Sequence, residues 1–472
     1  MKFPKPYLLT LLLAAAAQPA FALTLDEYLG QVRLNNEGVR GAKLGEEAKG
    51  LRLSEATLFF KPSFFLTGEY SDDKRPTNAP AFQGTQTVRS TFRTGLAQTF
   101  RTGTKATVSY NINKTEIKGA GPLLALTSFS DVAPQFELSQ SLWRNFMGSE
   151  FEANEQAQLS QVESSRLNDQ FNLKQLLIKA ENTYWRLVFA EESLKVQKES
   201  LARAVKLRDW NSSRMRNNLV DEADYLQAEA NLQSRELEYE TTMIELESAK
   251  REFNSIRQSS EDVSLMSDGP NDRSFLLTAK MPEKSGVRED VLMAIENQKL
   301  ILANTILGTE RNKPNLELYG SYSMNGRGST YTPAETQALT GTRPWSIVGV
   351  RFSTPLDFGA LSDYRKGYVQ EKAAADLTSR RKVYEVDREY EILAQRFDQF
   401  KKRLRLSKRM EEIQQKKLLS EKKRFSQGRT TTFQVLQFEQ DYANTQLLTL
   451  RNEAELFSTY NQLKLFTGVS HE

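Results

Sequence analysis

The side chains that most often carry catalysis or bind metals are nearly missing from this chain of 472 residues. It has no cysteine, and its only histidine is His471, one residue from the C-terminus. The sequence therefore predicts no metal site built from histidine and cysteine, and no nucleophile activated by histidine. Catalysis by its 60 Asp and Glu residues stays open, but most of these acids stand at helical spacing beside Lys or Arg, as on a solvated helix face. We predict a protein that is not an enzyme and that has no cofactor and no metal.

The first 22 residues have the order of a secretory signal peptide. Two lysines precede an apolar run over 7–17, and an Ala-Phe-Ala cleavage site follows. We predict cleavage after Ala22, which gives a mature chain that begins at Leu23. Without cysteine, this exported chain can have neither disulfides nor a lipid anchor on an N-terminal cysteine. The net charge of +4 falls by two when both lysines leave, and this near-balance argues against nucleic acid as the main partner.

A long stretch in the middle of the chain, 149–268, contains neither glycine nor proline, the two strongest breakers of regular structure. We predict a helical hairpin over 149–260 with its tip at 217–222. The break falls in a polar cluster from Asn211 to Asn218, because short polar side chains compete for backbone hydrogen bonds. The first arm would be about 100 Å long at ~1.5 Å per residue, a length suited to spanning a gap.

The second arm of this hairpin carries two apolar stripes that repeat every seven residues, the spacing of a supercoil seam. The first stripe is Tyr225, Leu232, Tyr239, Leu246 and Phe253. The second stripe is Ala223, Ala230, Leu237 and Ile244. Their offset of two residues is about 200° of helix rotation, which places the stripes on roughly opposite faces. The pattern fits a helix with two neighbours in a closed tube of helices, and equally a helix buried in a bundle core.

Alternating apolar and polar residues predict six strands. They lie at 62–71, 89–101, 104–114, 134–143, 314–324 and 345–356. A helical segment precedes the first strand, and a loop rich in Gly, Thr and Ser separates the last two. Strands with one apolar side fit a transmembrane β-barrel with a wet lumen, and they also fit the half-buried sheet of a soluble sandwich. On the strands alone the sandwich is favoured, because each barrel segment gives a weak signal.

The chain contains an internal repeat. The motif Pro-x5-Gly-x-Tyr-Ser begins at Pro62 and again at Pro314, and a shift of 210 residues aligns the two helical hairpins without a gap. Each half then has the order helix, strands, long hairpin, which indicates a duplication. The predicted segments are a signal peptide (1–22), a first repeat (23–260), a linker (261–286) and a second repeat (287–472) whose hairpin spans 360–467 with its tip at 427–432.

This order resembles the TolC family of outer-membrane efflux proteins, over essentially the whole mature chain. The most specific matches are the hairpin turns, Arg214-x3-Asn218-x7-Leu226-Gln227-Ala228-Glu229 and Arg424-x3-Gly428-x7-Leu436-Gln437. Two further segments look like the family's junction between strand and helix, Gln140-Ser141-Leu142 and Thr354-Pro355-Leu356-x2-Gly359. The first of these junctions lacks the family's proline.

The resemblance implies an α+β membrane protein that is internally duplicated and homotrimeric. Long antiparallel α-helical hairpins would form a periplasmic α-barrel tunnel, and the strands would form a transmembrane β-barrel in the lipid of the cell outer membrane. The implied function is the exit duct of a tripartite efflux or protein-secretion system, fed by a periplasmic adaptor (a membrane fusion protein) and an inner-membrane transporter. The family core has two strands per half, whereas the first half here has four. A trimer would thus have 12 or 18 barrel strands, depending on whether the 89–114 hairpin joins the wall.

Two other functions stay open at this point. A periplasmic adaptor also has a long hairpin, but it would need a lipoyl-like domain and a small β-barrel domain around a single hairpin. A coiled-coil structural protein of the envelope would not need two such hairpins joined through strands with a polar face.

The resemblance places the functional residues at the two hairpin turns. Acids at the first turn could form carboxylate rings around a three-fold axis, beside arginines that could pair with them. Such partly exposed ion pairs stabilise a closed state by only about 0–1 kcal/mol each, so the binding of an adaptor could separate them. Alternatively, these acids only favour the start of a helix. The candidates for the periplasmic aperture are Asp221, Glu222, Asp224, Arg429, Gln434 and Gln437, the two glutamines standing where some relatives have acids. The candidates for adaptor contact are Arg214, Asn218, Leu226, Arg424, Gly428 and Leu436.

Overall fold

The computed structural model describes residues 23–122, 124–217, 219–259 and 275–467. The predicted signal peptide, the tip residue Asn218, half of the predicted linker and His471 lie outside this part of the chain. The helices are α1 (Leu25–Asn35), α2 (Glu37–Arg52), α3 (Pro80–Gln83), α4 (Ser149–Arg216), α5 (Glu222–Arg257), α6 (Phe275–Thr278), α7 (Glu289–Arg311), α8 (Tyr331–Leu339), α9 (Phe358–Ser426) and α10 (Thr432–Lys464). The strands are β1 (Ser63–Asp73), β2 (Gln86–Thr99), β3 (Thr104–Lys118), β4 (Ser128–Ser141), β5 (Asn315–Met324), β6 (Gly326–Gly328) and β7 (Pro344–Ser353).

The chain divides into two compact units. The first unit contains Met1–Leu44, Asp169–Arg288 and Glu385–Glu472, and the second contains Gly45–Asn168 and Glu289–Tyr384. Within the described residues, the first unit is helical and holds both hairpin turns, whereas the second holds the whole β-sheet. The two longest helices, α4 and α9, contribute residues to both units.

The sheet of the second unit has the strand order β1-β2-β3-β4-β5-β7, and the short β6 pairs with β4. Every neighbouring pair is antiparallel, so the six long strands alternate in direction. The sheet is open, with β1 and β7 at its edges. The predicted hairpin at 89–114 forms β2 and β3, which lie between β1 and β4. Within one chain, this hairpin is therefore part of the sheet.

The register gives the sheet one apolar face and one polar face, because successive side chains of a strand point to opposite sides. Leu96, Val108, Phe136 and Tyr322 stand directly opposite one another on four successive strands. The apolar face also carries Phe64, Leu66, Phe92, Leu138, Val348, Val350 and Phe352, all of which are exposed. The polar face carries Arg93, Thr107, Asn111, Gln135, Glu137, Glu317, Ser321 and Arg351.

Side chains of the polar face form a connected network across the strands. Gln135 donates hydrogen bonds to Glu137 (2.8 Å) and to Ser321 (2.9 Å), and it accepts one from Asn111 (2.9 Å). Arg93 pairs with Glu137 at 3.2 Å. A face so rich in hydrogen-bonding groups is suited to contact with water, whereas the other face is suited to an apolar neighbour.

The junction between β4 and α4 contains three residues in the left-handed region, Asn145 (φ 56°), Met147 (φ 53°) and Gly148 (φ 82°). The Asn145 side-chain oxygen accepts from the backbone N–H of Glu150 at 2.9 Å and so caps α4. A Cβ at Gly148 would lie 1.6 Å from the carbonyl oxygen of Arg101, in the β2–β3 turn. This close approach locks the β2–β3 turn against the first residues of α4.

The segment between β5 and β7, predicted as a plain loop, contains β6 and α8 instead. Gly326 and Gly328 of β6 let α8 approach, since a Cβ at Gly326 would lie 1.8 Å from the carbonyl oxygen of Ala334. Ala334 and Ala338 of α8 are completely buried against Val132 of β4. The prediction of a loop, which rested on the Gly, Thr and Ser residues of this segment, was wrong because Gly326 and Gly328 allow the close helix–strand contact that holds α8 in place.

The core of the first unit is centred on an aromatic cluster of three residues. Tyr28 of α1 stacks on Phe253 of α5, with ring centroids 4.3 Å apart, and Tyr184 of α4 lies 5.7 Å from Tyr28 and 6.3 Å from Phe253. All three are at most 1% exposed. The Tyr184 hydroxyl donates to the carbonyl of Leu23 at 3.0 Å, and a capping box at Thr24 starts α1. The N-terminal segment is thus held in the core at its first described residues.

The two stripes predicted on α5 have different environments. Leu232, Leu246 and Phe253 of the first stripe are buried within the chain. In the second stripe every residue is exposed, with Leu237 at 70% and Ile244 at 67%. Helix α5 therefore has one apolar side packed inside the chain and a second apolar side that no described residue covers.

In the described ranges, from residue 23 to 467 with three gaps, no helix is long and apolar enough to cross a membrane.

Candidate functional site

The two hairpin turns have matching backbone hydrogen bonds. The N–H of Leu219 donates to the carbonyl of Arg214, and the N–H of Arg429 donates to that of Arg424, both at 2.9 Å. These bonds span five residues and are typical of a Schellman motif, which ends a helix with a residue in the left-handed region. In the second turn this residue is Gly428, with φ 70°. Position 218, its counterpart at the 210-residue shift, lies outside the described residues.

Helix α4 ends at Arg216 and α5 begins at Glu222, in agreement with the predicted tip at 217–222, whereas the polar cluster predicted to hold the break begins earlier, at Asn211. Asn211, predicted to begin the break, is instead completely buried within α4. Its side-chain amide donates to the carbonyl of Leu207 at 3.0 Å, and its oxygen accepts from the Thr432 hydroxyl at 3.0 Å. The prediction that Asn211 begins the turn was wrong, because its side chain bonds back to its own helix and across to α10. No sequence pattern predicted that Thr432, the first residue of α10, would bind Asn211.

Among the described residues, the acids at the first turn make no ion pair with an arginine, and Asp221 does not cap α5. Asp221 is the N-cap residue of α5, yet its side chain makes no capping hydrogen bond. At the matching position, Thr431 accepts from the N–H of Gln434 at 3.4 Å and does cap α10. In the described part of the turns, no ion pair joins Asp221, Glu222 or Asp224 to an arginine. The carboxylates at this turn are thus available to groups outside the chain.

The other candidates differ in accessibility. Leu226 is exposed, and so are Arg424, Gly428, Arg429, Gln434 and Gln437. Arg214 is half-buried, and Arg424 pairs with Glu421 at 3.2 Å. Leu436 is buried, so it contributes to packing within the chain. The structure therefore gathers most candidates on exposed positions around two turns of the same geometry.

Behind the turns, an ion-pair cluster joins three helices. The Glu439 carboxylate of α10 lies 2.6 Å from Arg203 of α4 and 2.5 Å from Lys422 of α9. Beside it is a groove of about 290 Å³ lined by Leu207, Trp210, Phe425 and Val435, where the rings of Trp210 and Phe425 lie 6.4 Å apart. No sequence pattern predicted this cluster, because Arg203 and Glu439 are 236 residues apart along the chain.

A second cluster of charges lies further along α9 and α10. Burial raises the pKa of the Glu411 carboxyl, and the neighbouring Glu453 carboxylate adds to the rise, against a hydrogen bond from Thr449 and the charge of Lys408. Glu453 is 5% exposed and its carboxylate pairs with Lys408 at 2.8 Å. Two carboxylates thus share one nearby lysine in a half-buried site.

This geometry predicts a stability that depends on pH. Because the pKa of Glu411 is higher in the folded chain than in the unfolded chain, the folded chain holds the proton more tightly. This contribution is fully present below the ordinary carboxyl pKa and is lost as pH rises above it. We expect Glu411→Gln to raise the midpoint of thermal unfolding at pH 8 and to change it little at pH 4. The exposed neighbour Glu412→Gln is the control; equal effects of both variants would contradict this explanation.

Comparison with known proteins was made at the levels of sequence and structure. No protein-family model and no curated protein matches this sequence. The structure of the outer-membrane channel OprN is similar with a TM-score of 0.65 and 14% identity, over 94% of this chain and 89% of OprN. The outer membrane protein VceC of Vibrio cholerae is similar with a TM-score of 0.64 and 11% identity, over 94% of this chain and 95% of VceC. This chain has the fold of the outer-membrane channels.

A third structure extends the likeness to an open channel. The open state of the MtrE outer membrane channel of Neisseria gonorrhoeae is similar with a TM-score of 0.60 and 14% identity, over 93% of this chain and 89% of MtrE. The likeness extends over most of the chain, so it concerns the fold as a whole rather than a single segment. The fold class predicted from sequence is confirmed for its long helices and its antiparallel sheet. The closed barrel, the trimer and the duplication stay predictions.

Proposed function

We propose that this protein is the outer-membrane exit duct of an efflux or protein-secretion system, with a β-barrel in the outer membrane and a helical tunnel in the periplasm. The observation that carries the proposal is the open sheet with one apolar and one polar face. An open edge is not stable in lipid, because its N–H and C=O groups have no partner there. Closure with further copies of the chain satisfies these groups and directs the polar face to a wet lumen.

The long helices support the second half of the proposal. Helix α4 has 68 residues and α9 has 69, so each is about 100 Å long at ~1.5 Å per residue. The exposed stripe on α5, with Leu237 and Ile244, offers an apolar side to a helix of a neighbouring copy. A homotrimer of such chains makes a tube of helices in which each helix has two neighbours.

This arrangement predicts that the exposed stripe is needed for assembly. We expect the double variant Leu237→Asp and Ile244→Asp to lose the detergent-stable trimer, because six carboxylates would be buried between copies. Gln227→Asp with Ser234→Asp, two exposed polar positions of the same helix outside the stripe, adds the same charge and is expected to leave the trimer intact. Native mass spectrometry of the extracted protein measures both. A normal amount of trimer from the double variant would show that the stripe lies outside the subunit contact.

The exposed turns support a partner at that end. We propose that a periplasmic adaptor contacts them and connects the duct to an inner-membrane transporter. Among the described residues, Asp221, Glu222 and Asp224 make no ion pair with an arginine, so in a trimer three copies of each can face a shared axis. Rings of carboxylates favour cations in a pore.

The proposed role of these acids in the periplasmic aperture is tested by removing their charges. We expect Asp221→Asn with Asp224→Asn to lower the cation preference of single channels in planar bilayers and to raise the closed-state conductance. Asp26→Asn with Glu47→Gln, two exposed acids on α1 and α2, removes the same charge elsewhere and is expected to change neither. If the cation preference and the closed-state conductance of the first variant are both unchanged, residues other than these acids form the periplasmic aperture.

The proposed function itself is tested with the full chain expressed in a Gram-negative host. We expect the protein in the outer-membrane fraction, a trimer by native mass spectrometry in detergent, and channels in planar bilayers. A stable folded monomer in the soluble periplasmic fraction would reject the duct and favour an adaptor or a coiled-coil scaffold.

A further inference from the structure

We propose that three copies of this chain close an 18-stranded barrel, in which β7 of one copy pairs with β1 of the next and Val350 stands opposite Leu66. The inference rests on the proposed function and adds the number of strands, the register between copies and the width of the exit. The observations behind it all concern the sheet of the second unit.

The two edges of the sheet are suited to each other in direction and length. Six long strands alternate in direction, so the first and the last run in opposite directions and can pair antiparallel between copies. An odd number of strands would present parallel edges. β1 has 11 residues and β7 has 10, so their ladders can overlap almost completely. In the part of the chain that the structure describes, neither edge has a strand partner, and the partner that fits both is another copy of the chain.

The faces of the sheet restrict the register. A shift by one residue would turn the apolar side chains of one edge toward the polar face, so only shifts by two are compatible. Complete overlap of β7 with β1 places Phe352 opposite Phe64 and Val350 opposite Leu66, with all four side chains on the apolar face. A shift that moves Phe352 to Leu66 leaves Phe64 beyond the end of β7 and without a partner.

The stagger of the strands gives an independent check. A line drawn through Phe64 at right angles to the strands passes through the residues that stand opposite one another on the successive strands. These residues are Leu96, Val108, Phe136, Tyr322 and Ser346. If Phe64 of the next copy pairs with Phe352, the line has moved six residues along β7, or one residue per strand. With about 3.3 Å per residue and about 4.8 Å between strands, this stagger tilts the strands by about 35°. Closed barrels have tilts of about 35–45°, so the register from overlap is compatible with a closed barrel. The register that pairs Phe352 with Leu66 would give a tilt of about 43°, so the overlap of the strands, and not the tilt, selects between the two.

The number of strands sets the width of the exit. Barrel diameter grows roughly linearly with the number of strands, so an 18-stranded wall is about 1.5 times as wide as a 12-stranded wall at the same tilt. Barrels of about 16–18 strands leave an open aqueous channel. The β2–β3 hairpin therefore widens the mouth of the duct, and bulky hydrated solutes are not limited by the barrel.

The register is tested by cross-linking in the outer membrane, where the chain offers no cysteine of its own. We expect the double variant Leu66→Cys with Val350→Cys to form covalent dimers and trimers with an oxidant or a short bis-methanethiosulfonate. Thr67→Cys with Val350→Cys places the thiols on opposite faces and is expected to give none. Phe64→Cys with Phe352→Cys is a second pair at the same register, should the first double variant fail to assemble.

Other cross-links would overturn the proposal. An efficient link within one chain between Leu66→Cys and Phe136→Cys would place β1 beside β4, with the β2–β3 hairpin outside a 12-stranded wall. A link between copies through Leu66→Cys and Phe352→Cys would replace the register. Native mass spectrometry of the protein without cross-links separates this test from that of the duct. A trimer without the Leu66–Val350 link rejects only the barrel proposed here, whereas the absence of any outer-membrane trimer rejects the duct.

Discussion

Val108→Arg is expected to prevent insertion and assembly of the protein. Val108 is 57% exposed on the apolar face of the sheet, between Leu96 on β2 and Phe136 on β4. In the proposed barrel this face contacts lipid, where an arginine near the bilayer midplane costs about 2–4 kcal/mol. Since three copies share one barrel, the cost is incurred three times per trimer. The amount of trimer in the outer-membrane fraction measures the effect.

Thr107→Arg is the matched control on the same strand. Thr107 lies on the polar face, directly opposite Glu137, whose carboxylate already pairs with Arg93 on the same face. We expect this variant to assemble, because its side chain faces the lumen and its charge stays hydrated. If Val108→Arg assembles as well as Thr107→Arg does, the face that carries Val108 is not in lipid, and the proposed orientation of the sheet is rejected.

Phe253→Ala is expected to lower the free energy of unfolding of the first unit by about 3–5 kcal/mol, the range for removing a buried phenylalanine. Phe253 is 1% exposed and contacts both Tyr28 and Tyr184, so its loss leaves a cavity at the point where α1, α4 and α5 meet. Tyr28 and Val32 are the two buried residues of helix α1, so the helix depends strongly on the contact between Tyr28 and Phe253. We therefore expect α1 to become sensitive to protease in this variant. Denaturation of the detergent-extracted protein, followed by circular dichroism, measures the loss.

Tyr28→Phe is the control for the same cluster. The Tyr28 hydroxyl is buried and has no hydrogen-bond partner among the described residues, while its ring stacks on Phe253. Removing a buried polar group that has no partner is close to neutral or stabilising, so we expect a change of less than about 1 kcal/mol. A large loss in Tyr28→Phe, or none in Phe253→Ala, would contradict the view that ring packing holds α1 in the core.

The elements of this fold could be predicted from sequence where one local pattern decides them. The absence of glycine and proline predicted α4 from Ser149 to Arg216, and the alternation around Val108 predicted which of its strand's side chains share a face. The 210-residue shift aligned two turns that make the same backbone hydrogen bond, at Arg214 and at Arg424. These features depend on residues that are close along the chain.

What the sequence could not decide depends on contacts between distant residues. The position of the β2–β3 hairpin is set by pairing with β1 and β4, and alternation is the same for a strand inside or outside a sheet. Asn211 looks like a turn residue until Thr432, 221 positions later, accounts for its burial. Whether the acids at the first turn face a pore depends on other copies of the chain, so neither the sequence nor one protomer decides it.

The glycine at the junction between β4 and α4 bears on the history of the chain. Only a glycine at position 148 leaves room for the backbone of Arg101. The β2–β3 turn and the start of α4 therefore constrain each other. An ancestor without the hairpin would have needed a different junction. A descendant that lost the hairpin would keep a strained junction of three left-handed residues with nothing to hold it. The hairpin and the junction are therefore expected to be inherited or lost together among the chain's descendants.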